Sequence, residues 1–158
     1  MKPIKPLPHA FVDYALAFGM IAAPWLFGFS KNKKATISAV GTGAGILKLS
    51  LVTRYPLGAA KLISFPTHGV VESVAAAAAI GAPWALGFSN DKAATITHVV
   101  AGAATLGVVA LTDYKATERG EAAQDLYETF GLTELPEAVE SLATGAEDMA
   151  DIRDRIAG

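Results

Sequence analysis

Residues 23–36 read APWLFGFSKNKKAT, and residues 82–95 read APWALGFSNDKAAT. In each, a proline–tryptophan pair leads through glycine and phenylalanine into an abrupt polar run. Sliding the chain on itself by 59 residues extends the match. His9 falls on His68, Asp13 on Glu72, Gly43 on Gly102, and Thr53 and Tyr55 on Thr112 and Tyr114. Roughly 20 of about 47 aligned positions are identical, the mark of a true internal repeat.

Each repeat holds two apolar stretches, at about 10–29 and 35–53, then 69–88 and 93–112. Each is close to the ~20 residues that a helix needs to cross the hydrocarbon core. The breaks between them, SKNKK and SNDK, are short. The expected fold class is therefore all-α: a four-helix transmembrane bundle of two tandem helical hairpins, with a soluble helical C-terminal tail. The expected domains are residues 1–56, 57–114 and 115–158. An even number of spans per repeat makes the two hairpins parallel. A soluble Ala/Gly-rich bundle is the bland alternative.

The opening strings then become corners. Pro24 lies 15 residues beyond His9, about 22 Å along a helix axis. Trp25, Phe27 and Phe29 reach the far interface, where amphipathic rings settle. Pro24 loosens the helix near its end, Gly28 permits the exit, and the lysines meet water and headgroups. Pro83, Trp84, Gly87 and Phe88 repeat these steps. Gly41-x-x-x-Gly45 matches a close-packing pattern, read first as packing inside the bundle.

The composition agrees. Apolar residues make up 52% and charged residues 18%, below the quarter usual in soluble domains. Residues 1–114 carry nine Lys/Arg against four Asp/Glu; residues 115–158 carry four against eleven. Such a split points to two environments on one chain. Cysteine is absent, which excludes disulfides and thiolate chemistry.

Pro24-Trp25, Pro83-Trp84, the Gly-Phe pairs at 28–29 and 87–88, the His-x-x-x-acid starts, and TRYPLG at 53–58 together resemble the SPW-repeat family of small bacterial integral membrane proteins. The family takes its name from a Ser-Pro-Trp motif in the first of two membrane helices; here alanine replaces the serine twice. The resemblance covers about residues 8–114. It implies a multi-pass fold in a bacterial inner membrane and no assigned activity.

The one repeated polar constellation is His9 with Asp13 and His68 with Glu72. A spacing of four puts each pair on one helix face, and the repeat puts both pairs on one side of the membrane. The plain reading is structural: an acid near a helix start complements the dipole, and each imidazole satisfies its carboxylate. The sharper readings are a divalent metal site, a haem held by the two histidines, or proton or substrate handling. His98 reads as one interhelical hydrogen bond, and Lys48 as a lysine that snorkels to the surface. No nucleophile–base–orienter set, phosphate loop or nucleic-acid motif appears, so no enzyme and no nucleic-acid partner are expected.

The tail beyond Thr133 carries Leu135, Val139, Leu142, Met149, Ile152 and Ile156 as a narrow apolar stripe among acids. It suits a protein partner, a second copy of the chain, or, as the plain reading, a cap on the chain's own bundle. The leading functional expectation is an accessory or assembly subunit that packs in the bilayer and engages that partner. Metal or haem binding is the alternative. Flanking bases place both termini on the cytoplasmic side.

Overall fold

The computed structural model describes residues 2–116. The tail stripe, Leu135 to Ile156, lies outside the described residues. Four helices follow in order: α1 (Pro6–Leu26), α2 (Lys33–Val52), α3 (Phe65–Ala85) and α4 (Lys92–Leu111), with no named strand among them. Pro6 opens α1 and Pro66 lies in the first turn of α3, positions where a fixed φ helps and a missing N–H costs nothing. Asn32 and Asp91 cap α2 and α4, each side chain accepting from the N–H three residues on. The helices begin four residues upstream of the expected span boundaries, so His9 and His68 are the fourth residues of α1 and α3 and lie inside them.

Gly28 and Gly87 take φ of 76° and 72°, a region that costs a side chain energy. The chain reverses there. Trp25 and Phe27 point outward, whereas Phe29 and Phe88 turn back under the corner. The latter pair joins Met20, Ala23, Ala35, Ala39 and Ala94 in a buried cluster. Phe29 thus differs from the expected interface ring: the glycine turn re-aims it. At this corner Asn32 Nδ2 donates to Asp91 Oδ2 across the repeat, 3.1 Å away.

Within each hairpin the backbones nearly touch. A Cβ on Gly43 would lie 2.5 Å from the Ala17 carbonyl oxygen, and one on Gly102 would lie 2.6 Å from that of Ala76. Gly41 and Gly45 have open space instead. The close-packing role therefore belongs to Gly43 and Gly102, and the Gly41-x-x-x-Gly45 face lines a groove.

At the other end the repeats exchange partners. Ile4 pairs with Thr112, and Ile63 with Thr53. The segment before α1 is thus stitched to the end of α4, and the segment before α3 to the end of α2. His98 hydrogen-bonds across to Ser38, 3.0 Å away, the interhelical contact expected of it.

The surface is inverted relative to a water-soluble protein. Phe11, Phe18, Trp25, Ile37, Val74, Trp84 and Ile96 are exposed, while three histidines, Asp13 and Glu72 are buried. Contiguous large apolar residues outside and paired polar groups inside suit a lipid solvent. α1, α2 and α4 are each long and apolar enough to span a membrane. α3 is as long as α1 but falls below that hydropathy, because His68 and Glu72, with Pro66 and Thr67, offset its valines.

Candidate metal centre

Asp13 and Glu72 each stand one turn beyond their histidine, and the exchanged ends bring the two pairs face to face. Nε2 of His9 lies 3.4 Å from Nε2 of His68. His9 Nε2 is 3.3 Å from Asp13 Oδ1 and 3.3 Å from Glu72 Oε2. His68 Nε2 is 3.3 Å from Asp13 Oδ2 and 3.5 Å from Glu72 Oε2. One ligand atom from each residue falls within 4.8 Å of all the others, and all four residues are buried.

The outer partners assign the protons. Thr112 Oγ1 donates to the Val108 carbonyl at 2.6 Å, and Thr53 Oγ1 donates to that of Leu49 at 2.6 Å. A hydroxyl has a single proton to give. Each threonine oxygen must therefore accept from the imidazole Nδ1 beside it, at 2.8 Å for both His9 and His68. In the neutral rings Nδ1 carries the hydrogen, and both Nε2 lone pairs aim at the centre. Asp13 Oδ1 and Glu72 Oε2 are buried with no hydrogen-bond partner. With both rings neutral, the centre is two bare nitrogens and two carboxylates in mutual contact, with no donor among these four side chains.

That set fits a cation. In a tetrahedral site with metal–ligand bonds of about 2.0–2.1 Å, neighbouring ligand atoms stand about 3.3–3.4 Å apart. The separations around the two imidazole nitrogens span 3.3–3.5 Å, with Asp13 offering a different oxygen to each imidazole, while one atom from each residue forms a looser set within 4.8 Å. A divalent ion would leave the group electrically neutral, which matters where charge is costly. Haem is not accommodated as the side chains stand: the two Nε2 atoms are 3.4 Å apart with carboxylate oxygens within 3.3–3.5 Å of both, which leaves no room for a porphyrin between the rings.

The carboxylates are not equivalent. Asp13 Oδ2 accepts from Ser50 and from Tyr55, each at 3.2 Å. The repeat places Val109 opposite Ser50, so Glu72 lacks the matching hydroxyl. Above the centre, Phe65 packs edge-on to His9 with centroids 5.0 Å apart and lies 4.7 Å from Tyr114. Burial, reinforced by the nearby carboxylates, pushes the phenols of Tyr55 and Tyr114 far above their ordinary value. Both stay protonated, and Tyr55 donates to Asp13.

Sequence reasoning placed all four central residues on one side, and the structure brings them together. It missed Thr53, Thr112, Ser50 and Tyr55. The repeat identity of Thr53 with Thr112 and Tyr55 with Tyr114 was the available signal, because polar residues repeated at a helix exit have a reason to recur. Pro24, Trp25, Gly28, Pro83, Trp84 and Gly87 form the opposite end, roughly 24 Å away at 1.5 Å per residue, and take no part in the centre.

Helical hairpins that expose their large apolar residues and bury a polar cluster define a multi-pass helical membrane protein. The chain belongs to the SPW repeat domain family, which matches residues 7–112. No curated protein and no solved structure matches it.

Proposed function

We propose that this protein is a membrane metalloprotein that holds one divalent first-row cation, zinc by its nitrogen–oxygen donor set. His9, Asp13, His68 and Glu72 are the ligands. Thr53 and Thr112 hold the imidazoles in the ligating tautomer, and Ser50 and Tyr55 anchor Asp13. The observation that carries the reading is the donor-free centre: two bare Nε2 atoms and two buried, unpartnered carboxylate oxygens at ligand–ligand spacing. The membrane is the bacterial inner membrane, with both termini cytoplasmic. Lys2, Lys5, Arg54, Lys61, Lys115 and Arg119 flank that side, against Lys31, Lys33, Lys34 and Lys92. The acidic tail adds an accessory role, since its apolar stripe suits a protein partner.

Elemental analysis of detergent-purified protein tests the centre. About one equivalent of metal is expected, in line with a single four-ligand site, and His9→Ala with His68→Ala should remove it. Protein that holds no metal and takes up no added zinc in titration calorimetry would refute the reading. In that case the centre is occupied by protons shared between imidazole and carboxylate.

A further inference from the structure

Two apolar grooves run along the seams between hairpins, and only one reaches the centre. The α1/α4 groove, about 710 Å³, is lined by Val12, Gly19 and Val100 among others, but by neither His9 nor Asp13. The α2/α3 groove, about 830 Å³, has His68 and Glu72 in its wall. The repeat alone would make the two alike. They differ because Asp13 is the shorter acid and is held by Ser50 and Tyr55, whereas Glu72 is longer and has Val109 where Ser50 would be. The aromatic cap of Phe65, Tyr55 and Tyr114 lies over the end of the centre. The way in is from the lipid side, between α2 and α3.

Lys48 also lines this groove. It lies on α2 two residues before Ser50, and is exposed where Ser50 is buried, so its ammonium faces the groove and not the interior of the centre. Its counterpart in the second repeat is Gly107, so the other groove has no such cation. Lys48 and Glu72 are the charged residues of the α2/α3 lining. With Glu72 neutralised at the centre, the groove keeps one positive charge at its polar end and an apolar trough of Gly41, Gly45, Ala75 and Ala79 beyond it. A cation in such a place wants a counter-charge, and a trough between two helices has room for one chain.

We propose that the α2/α3 groove binds a single-chain lipid acid, a long-chain carboxylate whose head pairs with Lys48 and whose tail lies along α2 and α3. The pairing needs Glu72 neutralised, and so rests on the centre: on the metal of the proposed function, or on protonated imidazoles in its place.

Full-length protein in phosphatidylcholine vesicles, labelled with a diazirine-bearing palmitate, tests the proposal. Cross-links should map to residues 41–49 and 71–79 and not to the α1/α4 groove. Excess palmitate should remove them, and hexadecanol, the same chain without the charge, should not. Lys48→Gln should weaken competition by palmitate about tenfold, the loss of one charge-assisted contact. Gly45→Phe should block the trough and abolish the label. Metal content, measured on the same samples, should not change in either variant. Equal labelling of both grooves, equal competition by hexadecanol, or an unaltered Lys48→Gln would overturn the proposal. Displacement by phosphatidylglycerol as effective as by palmitate would also overturn it and assign the groove to a phosphodiester lipid. Metal-free protein that still binds palmitate through Lys48 would sustain the groove and sink the metal reading. Metal-loaded protein without specific labelling would do the reverse.

Discussion

Thr53→Val isolates the step on which the centre depends. Valine has the shape of threonine, so packing around this fully buried position is kept. What disappears is the oxygen that accepts from His68 Nδ1 at 2.8 Å. A buried N–H left without an acceptor costs about 1–3 kcal/mol. The imidazole escapes that cost by moving its proton to Nε2, where Asp13 and Glu72 can accept it at 3.3 and 3.5 Å. In that tautomer His68 is no longer a ligand. Either route taxes metal binding, and the loss should fall in the range of about 10–100-fold in affinity seen for outer-sphere partners of metal-bound histidines.

Zinc titration against a competing chelator, with the protein in detergent, measures this. Thr53→Ser restores the oxygen and should recover most of the affinity; Thr112→Val should repeat the loss through His9. Helix content by circular dichroism should be the same in all three variants. Affinity should also weaken on acidification, because protons compete with the metal for both Nε2 atoms. A Thr53→Val protein that binds zinc within twofold of the parent would show that the threonines do not set the tautomer, and the donor-free centre would lose its basis.

Gly43→Ala should destabilise the first hairpin by about 1–3 kcal/mol, the usual cost of forcing atoms into a packed contact; Gly41→Ala, which meets open space, should be nearly silent. Denaturant unfolding in detergent distinguishes them, and equal effects would contradict the backbone approach at Gly43. The tail is read by one series: Ser141→Cys should react with an impermeant maleimide only from the cytoplasmic face, and a chain ending at Lys115 should keep its metal while its complex shrinks on size exclusion. Labelling in intact cells, or an unchanged complex, would reverse the topology or remove the accessory role.

Much of this architecture was legible in the sequence because the repeat is strong. Identity at Pro24/Pro83, Trp25/Trp84 and Gly28/Gly87 located the corners, and the apolar lengths gave four helices. The His/acid pairs could be placed on one face and one side. Their burial could not, because it depends on Pro6 and Pro66 starting the helices a turn earlier than the apolar runs suggest. Nor could spacing tell Gly43 from Gly41 and Gly45. All three lie on α2, and only the rotation of that helix against α1 decides which one meets a carbonyl.

Exact repetition would have produced a symmetric centre with two equal carboxylates and two equal grooves. The chain departs from repetition at three positions that bear on this: Glu72 for Asp13, Val109 for Ser50, and Lys48 for Gly107. The first two leave the carboxylates with different partners, and the third puts a cation in the lining of the groove that Glu72 reaches. Asp13 is held by two hydroxyls, whereas Glu72 Oε2 has only the imidazoles beside it. If the centre holds a metal as proposed, Asp13 is the more firmly anchored of its two carboxylates. The common residues of the two halves build the frame, and the differing ones give it a direction.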